Sequence, residues 1–236
     1  LLHEASLVHD DILDSSVIRR DRETLGEHFD IARATYAGGF ITSTCIAIIA
    51  EHDARIPRVL GKLLKELVYA QLMEELPTPD CLAVHQKRSE DIMLGKTGAM
   101  FELAIRLGLH LAVGNDRAPM TDAQAADFAR HFSLAFQIRD DLADLTNDAI
   151  IRKPGGNDLV QGNPTWPFLV WAHHQGNYEA AWARLRHAKG DAARAEALQN
   201  DIIAAGTEAL VAARVIEEIE QARQCLAHLP DSDALH

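Results

Sequence analysis

Asp10-Asp11-Ile12-Leu13-Asp14 and Asp140-Asp141-Leu142-Ala143-Asp144 repeat one carboxylate pattern in a chain of 236 residues. On a helix, positions i, i+1 and i+4 share one side, with i and i+4 about 6 Å apart, so each cluster aims two or three carboxylates at a common point. Carboxylate oxygens suit hard divalent cations, and Mg²⁺ in particular keeps several waters and is completed by substrate phosphates. Two such clusters facing one another would hold a small group of metal ions with a diphosphate between them. A solvated acidic helix face carries the same residue types, but both copies here lie in apolar, helix-forming stretches.

The elements that must carry these clusters are helices. Apolar residues recur with a period near 3.6 along nearly every long segment, which predicts an all-α chain with helices over about 1–15, 28–51, 56–75, 86–112, 122–146, 165–174, 177–188, 193–205 and 207–228. Pro77, Pro79, Gly114 and Pro119 mark turns, and Thr121 or Asp122 is the expected N-cap of the helix leading to the second cluster. The stretch 147–167, with Pro154, Gly155, Gly156, Gly162 and Pro164, is the longest irregular segment and by its length a functional loop. Length and the lack of a Gly/Ser/Pro-rich linker predict a single domain over 1–236. The first residues start in mid-pattern, without a cap, and are expected to be the continuation of missing N-terminal helices.

Composition narrows the partners. A net charge of −12 disfavours nucleic acid. Cys45, Cys81 and Cys225 are odd in number and lack metal-ligand spacing, so they read as reduced thiols of a cytoplasmic protein. The run Ile41 to Ala50 is short and broken by Thr42, Ser43 and Thr44, which predicts no transmembrane segment.

Four motifs in register carry a family resemblance. His3-Glu4-Ala5-Ser6-Leu7-Val8-His9-Asp10-Asp11-Ile12-Leu13-Asp14 followed by Arg19-Arg20 resembles the first aspartate-rich motif of trans-polyprenyl diphosphate synthases, and Phe136 through Asp144 resembles their second. Gly95-Lys96-Thr97-Gly98 is similar to the family's Lys-Thr pair, and Lys153 through Pro167 to its basic loop. The resemblance runs to about residue 228 and implies an all-α isoprenoid synthase bundle. It also implies a Mg²⁺-dependent condensation of isopentenyl diphosphate with an allylic diphosphate, and a homodimer.

Within that reading Asp10, Asp14, Asp140 and Asp144 hold Mg²⁺, three ions with the substrate diphosphate, while Asp11 and Asp141 orient ligands or waters. Arg19, Lys96 and Lys153 neutralise the leaving diphosphate, with Gln137 and Thr97 as hydrogen-bond partners. The resemblance gives Arg20 and His3 to the diphosphate of isopentenyl diphosphate. Ala5 and Ser6, one turn before Asp10, lie where bulky aromatics stop the product near fifteen carbons in the family, so small residues imply twenty carbons or more; Tyr36 and Phe40 are candidate floors of that longer tunnel. Asp21 stands where the family has glycine, and its N-terminal Gly-Lys-x-x-Arg motif has no counterpart here. The alternatives are a class I terpene cyclase, whose Asn/Asp, Ser/Thr, Glu triad is met only by Asn157-Asp158, and a non-catalytic partner subunit, although both aspartate motifs survive.

Overall fold

The computed structural model describes residues 1–52, 56–74, 76, 81–112, 120–146, 156–227 and 229. The fold is all-α, as the periodicity predicts, and it divides into two compact units, Leu1–Leu64 and Lys65–His236.

In the first unit α1 (Leu2–Leu13) packs along α3 (Ile31–His52), with the short α2 (Leu25–His28) between them in sequence. The close approach depends on Gly38 of α3, where a Cβ would lie 2.6 Å from the ring of His9. Two-residue strands β1 (Ile18–Arg19) and β2 (Arg22–Glu23) form a hairpin that periodicity cannot reveal, because alternation needs at least four residues. Its turn residues Arg20 and Asp21 both have positive φ, 51° and 62°. Asp tolerates that left-handed conformation better than most side chains, which accounts for Asp21 at a position where glycine would be expected. Thr24 then starts α2, its hydroxyl accepting from the Glu27 N–H.

α3 is unusual in what it leaves uncovered. Tyr36 and Phe40, the expected tunnel floors, are 81% and 73% exposed, and Ile31, Ile46 and Ile48 are exposed with them. By length and composition Ile31–Glu51 is long and apolar enough to cross a membrane, with only 17% of it buried, which the shorter run Ile41 to Ala50 did not suggest. α4 (Ile56–Glu74) follows and contains the boundary between the units.

The second unit holds the main core. α5 (Leu82–Met93) runs through a π-helical turn (Leu94–Gly98) into α6 (Ala99–Ala112), where a single helix over 86–112 is predicted. α7 (Asp122–Thr146) is the central element, lying along α12 (Thr207–Leu226). Thr121 and Gln124 cap α7 reciprocally, the Thr121 hydroxyl accepting from the Gln124 N–H and Gln124 Oε1 from the Thr121 N–H. The segment read as irregular contains a short helix, α8 (Asn157–Gln161); residues 147–155 lie outside the described residues. α9 (Trp166–His174), α10 (Tyr178–Ala188) and α11 (Ala192–Ala204) complete the unit, the last two capped by Asn177 and Asp191. Leu134, Ile138, Phe168, Leu169, Leu198, Ile202 and Val211 form the centre of the core. Burial holds His85 neutral there, its pKa pushed down to about 4, and its ring hydrogen-bonds the Tyr178 hydroxyl at 2.6 Å. The three cysteines are free thiols.

Candidate active site

Both aspartate clusters occupy the C-terminal ends of their helices. Asp14 is the C-cap of α1, and Asp140, Asp141 and Asp144 fall in the last two turns of α7; neither helix has a basic residue in its last turn. A helix C-terminus carries partial negative charge and favours cations, so three carboxylates there oppose the dipole. The arrangement costs stability and gains an affinity for positive charge.

In each cluster the middle aspartate is the buried one, Asp11 and Asp141 both at 9% exposure. Asp10 and Asp144 are half-buried, while Asp14 and Asp140 are exposed. Burial thus sets the middle carboxylate of each cluster apart from its neighbours. The compensation differs between the two. Asp11 Oδ1 accepts from Arg19 Nε at 2.6 Å, and the same guanidinium reaches Asp10 Oδ2 at 3.5 Å. The hairpin therefore folds back beside α1, and Arg20 meets Glu4 at 3.4 Å near the other end of the helix. His3 is exposed in the first turn of α1, and its carbonyl accepts from the Ser6 hydroxyl at 2.8 Å. Ala5, one turn before the cluster, is fully buried.

Asp141 is hydrogen-bonded by dipoles and not by a cation. Oδ2 accepts from the Trp166 backbone N–H at 2.8 Å and Oδ1 from Gln137 Nε2 at 3.2 Å. Burial dominates and pushes the Asp141 pKa up to about 7, against the two hydrogen bonds and with the help of neighbouring Asp158 and Asp140. Asp144 Oδ2 accepts from the Asp158 N–H at 3.3 Å, and its carbonyl from the Gly156 N–H at 2.8 Å. Gly156 takes a positive φ of 75° to reach this position, with the Gln199 side chain 2.7 Å from where its Cβ would stand. The starts of α8 and α9 thus meet the end of α7.

Lys96 and Thr97 lie inside the π-helical turn, a distortion that recurs at functional sites because it re-aims side chains by a fraction of a turn. Lys96 Nζ is 2.7 Å from Glu74 Oε2. The Thr97 hydroxyl donates to Gln137 Oε1 at 3.3 Å, so Thr97, Gln137, Asp141 and the Trp166 amide form one hydrogen-bonded chain. Lys153 lies outside the described residues. The first unit thus gathers Asp10, Asp11 and Arg19, and the second gathers Asp140, Asp141, Asp144, Gln137 and Thr97. The sequence reading did not name Glu74, placed Trp166 only within the basic-loop segment and took Asp158 only for the cyclase alternative; their contacts here span 14 to 25 residues of the chain.

Among the described residues no group of three His, Cys, Asp or Glu side chains is close enough to hold a metal ion unaided. The donor set nevertheless fits Mg²⁺: it is all carboxylate oxygen, at helix ends that favour cations, and Mg²⁺ needs only one or two carboxylates when phosphate and water complete its shell.

Over nearly its whole length the chain is similar to known proteins. The sequence profile of the polyprenyl synthetase family matches residues 1–202. The all-trans-nonaprenyl-diphosphate synthase (geranyl-diphosphate specific) of Rhodobacter capsulatus is 32% identical over 239 residues, which take in 98% of this chain and 70% of the relative. The octaprenyl diphosphate synthase of Haemophilus influenzae is 30% identical over 241 residues, with the same shares of each chain. The crystal structure of a decaprenyl diphosphate synthase from Rhodobacter capsulatus superposes on 99% of this chain and 72% of its own with a TM-score of 0.84 at 25% identity.

Proposed function

We propose that this chain, which belongs to the polyprenyl synthetase family, condenses isopentenyl diphosphate with an allylic diphosphate to extend a linear prenyl chain to twenty carbons or more. The observation that carries the reading is the pair of aspartate clusters at the C-terminal ends of α1 and α7, each with one buried and two outward carboxylates and neither with a basic residue in its last turn. Relatives named for octaprenyl, nonaprenyl and decaprenyl products support the long chain, as does the small pair Ala5 and Ser6 before the first cluster.

Asp10, Asp14, Asp140 and Asp144 would hold Mg²⁺, which when bound supplies the charge that lets the allylic diphosphate leave. Arg19 keeps a guanidinium at the first cluster, and Glu74 holds the Lys96 ammonium in the second unit, so cations stand by as charge develops on the leaving group. Arg19 bridges Asp11 to Asp10, while Gln137 and the Trp166 amide fix the Asp141 carboxylate between Asp140 and Asp144 in the chain. His3 and Arg20 are assigned to isopentenyl diphosphate. The uncovered apolar side of α3, with Tyr36 and Phe40, is assigned to a homodimer, and the free thiols fit a cytoplasmic protein.

Incubation with Mg²⁺, isopentenyl diphosphate and dimethylallyl, geranyl or farnesyl diphosphate, with dephosphorylated products sized by mass spectrometry, tests the reading. Prenyl alcohols of twenty carbons or more are expected. Products that stop at fifteen carbons overturn the assignment to Ala5 and Ser6; a cyclised hydrocarbon, or no turnover, overturns the activity.

A further inference from the structure

Asp141 and His131 stand on the same helix, and a closed circuit of side chains joins them outside α7. His131 Nδ1 lies 2.6 Å from Oε2 of Glu218, a carboxylate only 4% exposed. Glu218 Oε1 accepts from Arg214 Nε at 2.8 Å and from its Nη2 at 2.6 Å, one turn earlier on α12. The same Nη2 reaches Glu90 of α5 at 3.3 Å. With both flanks held, the guanidinium lies over the buried indole of Trp166, 5.8 Å from its centroid. Trp166 is the first residue of α9, and its N–H is the donor to Asp141 Oδ2.

Each link has a physical reason. A guanidinium is attracted to the face of an indole, and a fork fixed by two carboxylates is held against sliding across the ring. A helix-start N–H is one of the donors that no intrahelical acceptor satisfies, so it is free to bind a carboxylate from outside. The direction of that N–H follows where the indole is seated, and the direction of the Asp141 carboxylate follows the N–H.

We propose that Arg214 is a positioning residue for the second aspartate cluster: held between the Glu90 and Glu218 carboxylates, it seats the Trp166 indole and so fixes the amide that orients Asp141 beside Asp140 and Asp144. The inference rests on the functional reading above, because it assigns Arg214 to the readiness of that cluster for metal and diphosphate. It predicts that α12, remote in sequence from every recognised motif, sets the affinity of the α7 cluster for Mg²⁺ with diphosphate.

The test uses the full chain and calorimetric binding of Mg²⁺ with inorganic pyrophosphate, so it needs no turnover. Removing the charge at Arg214 would leave the buried Glu218 with His131 as its remaining partner in this circuit and threaten the fold, so Arg214→Lys is the main variant, with Trp166→Leu, which keeps the backbone N–H, as the second. Melting in EDTA checks that each is folded. Each single variant should weaken pyrophosphate binding by about tenfold or more, a shift of the size that displaced supporting groups around a metal site produce. The double variant should be no weaker than the worse single one, since both act through one link. A wild-type protein that binds normally beside an Arg214→Lys variant of unchanged affinity, or additive losses in the double variant, overturns the inference alone. Failure of the wild-type protein to bind Mg²⁺ with pyrophosphate overturns the functional reading and the inference with it.

Discussion

The two aspartate clusters have the same sequence form and the same burial of their middle carboxylate, 9% exposed in each, yet they are neutralised by opposite means. The first has a formal charge beside it, the Arg19 guanidinium carried in by the β-hairpin. The second has backbone amides, Trp166 and Asp158 at the starts of α9 and α8. Charge compensates a buried anion more completely than dipoles do, and the consequence is visible at Asp141, whose pKa burial lifts to about 7. A repeated motif is therefore not a repeated environment. The first cluster sets a fixed positive charge against its buried carboxylate, whereas at the second it is the Asp141 carboxyl that burial lifts toward neutral pH.

The largest expected effect tests whether the clusters work as a pair. Asp10→Ala and Asp140→Ala should each lower the rate of isopentenyl incorporation by about 10³-fold, since on the proposed function each removes a carboxylate that would hold Mg²⁺, worth several kcal/mol in the transition state. Loss in one variant only would break the comparison, leaving one cluster as the working site and the other as structure.

The next effect is one of sign. In metal-free protein at pH 8, Asp11→Asn should destabilise by about 1–2 kcal/mol, because a charge-assisted bond to Arg19 becomes a neutral one. Asp141→Asn should instead stabilise. An unfolded aspartate loses its proton near pH 4, but the folded Asp141 keeps its proton to about 7, so between those values unfolding releases a proton and stability falls as pH rises. Asparagine resembles the protonated form and escapes that loss. Its advantage should be fully open above about pH 7 and should close as the pH falls toward 4. Urea midpoints for the three proteins across that range measure both signs; parallel curves for wild type and Asp141→Asn would refute the contrast between the clusters.

How much of this can be read in the chain follows the range of each interaction. The helices, the N-cap at Thr121 and the two carboxylate clusters are legible because each is a pattern within one or two turns. The π-helical turn is not, since one extra residue per turn over Leu94–Gly98 leaves the apolar period of the flanking helices intact. Nor is the hairpin, because Arg20-Asp21 lacks the Asn-Gly type of signal and its strands are two residues long. The neutralising partners were hidden for a plainer reason. Trp166 and Asp158 contribute backbone amides, which every residue but proline possesses, so only the fold can say which amide faces Asp141 or Asp144.

The smallest expected effect lies at the outer end of the second cluster's hydrogen-bond chain. Thr97 donates to Gln137 Oε1, which leaves the Gln137 amide nitrogen to donate to Asp141. Thr97→Val cannot donate, so the amide loses one anchor, and stability should fall by about 0.5–1 kcal/mol, the net worth of a single neutral hydrogen bond. Thr97→Ser keeps the hydroxyl and should match wild type. The two variants divide structure from chemistry. If Thr97 also meets the diphosphate, the valine variant loses activity beyond what its stability change explains, while the serine variant keeps it. In the first cluster Arg19 instead binds Asp11 directly. A stability change confined to Thr97→Val would therefore mark dipolar compensation as a chain that weakens one bond at a time, where the ion pair fails at a single residue.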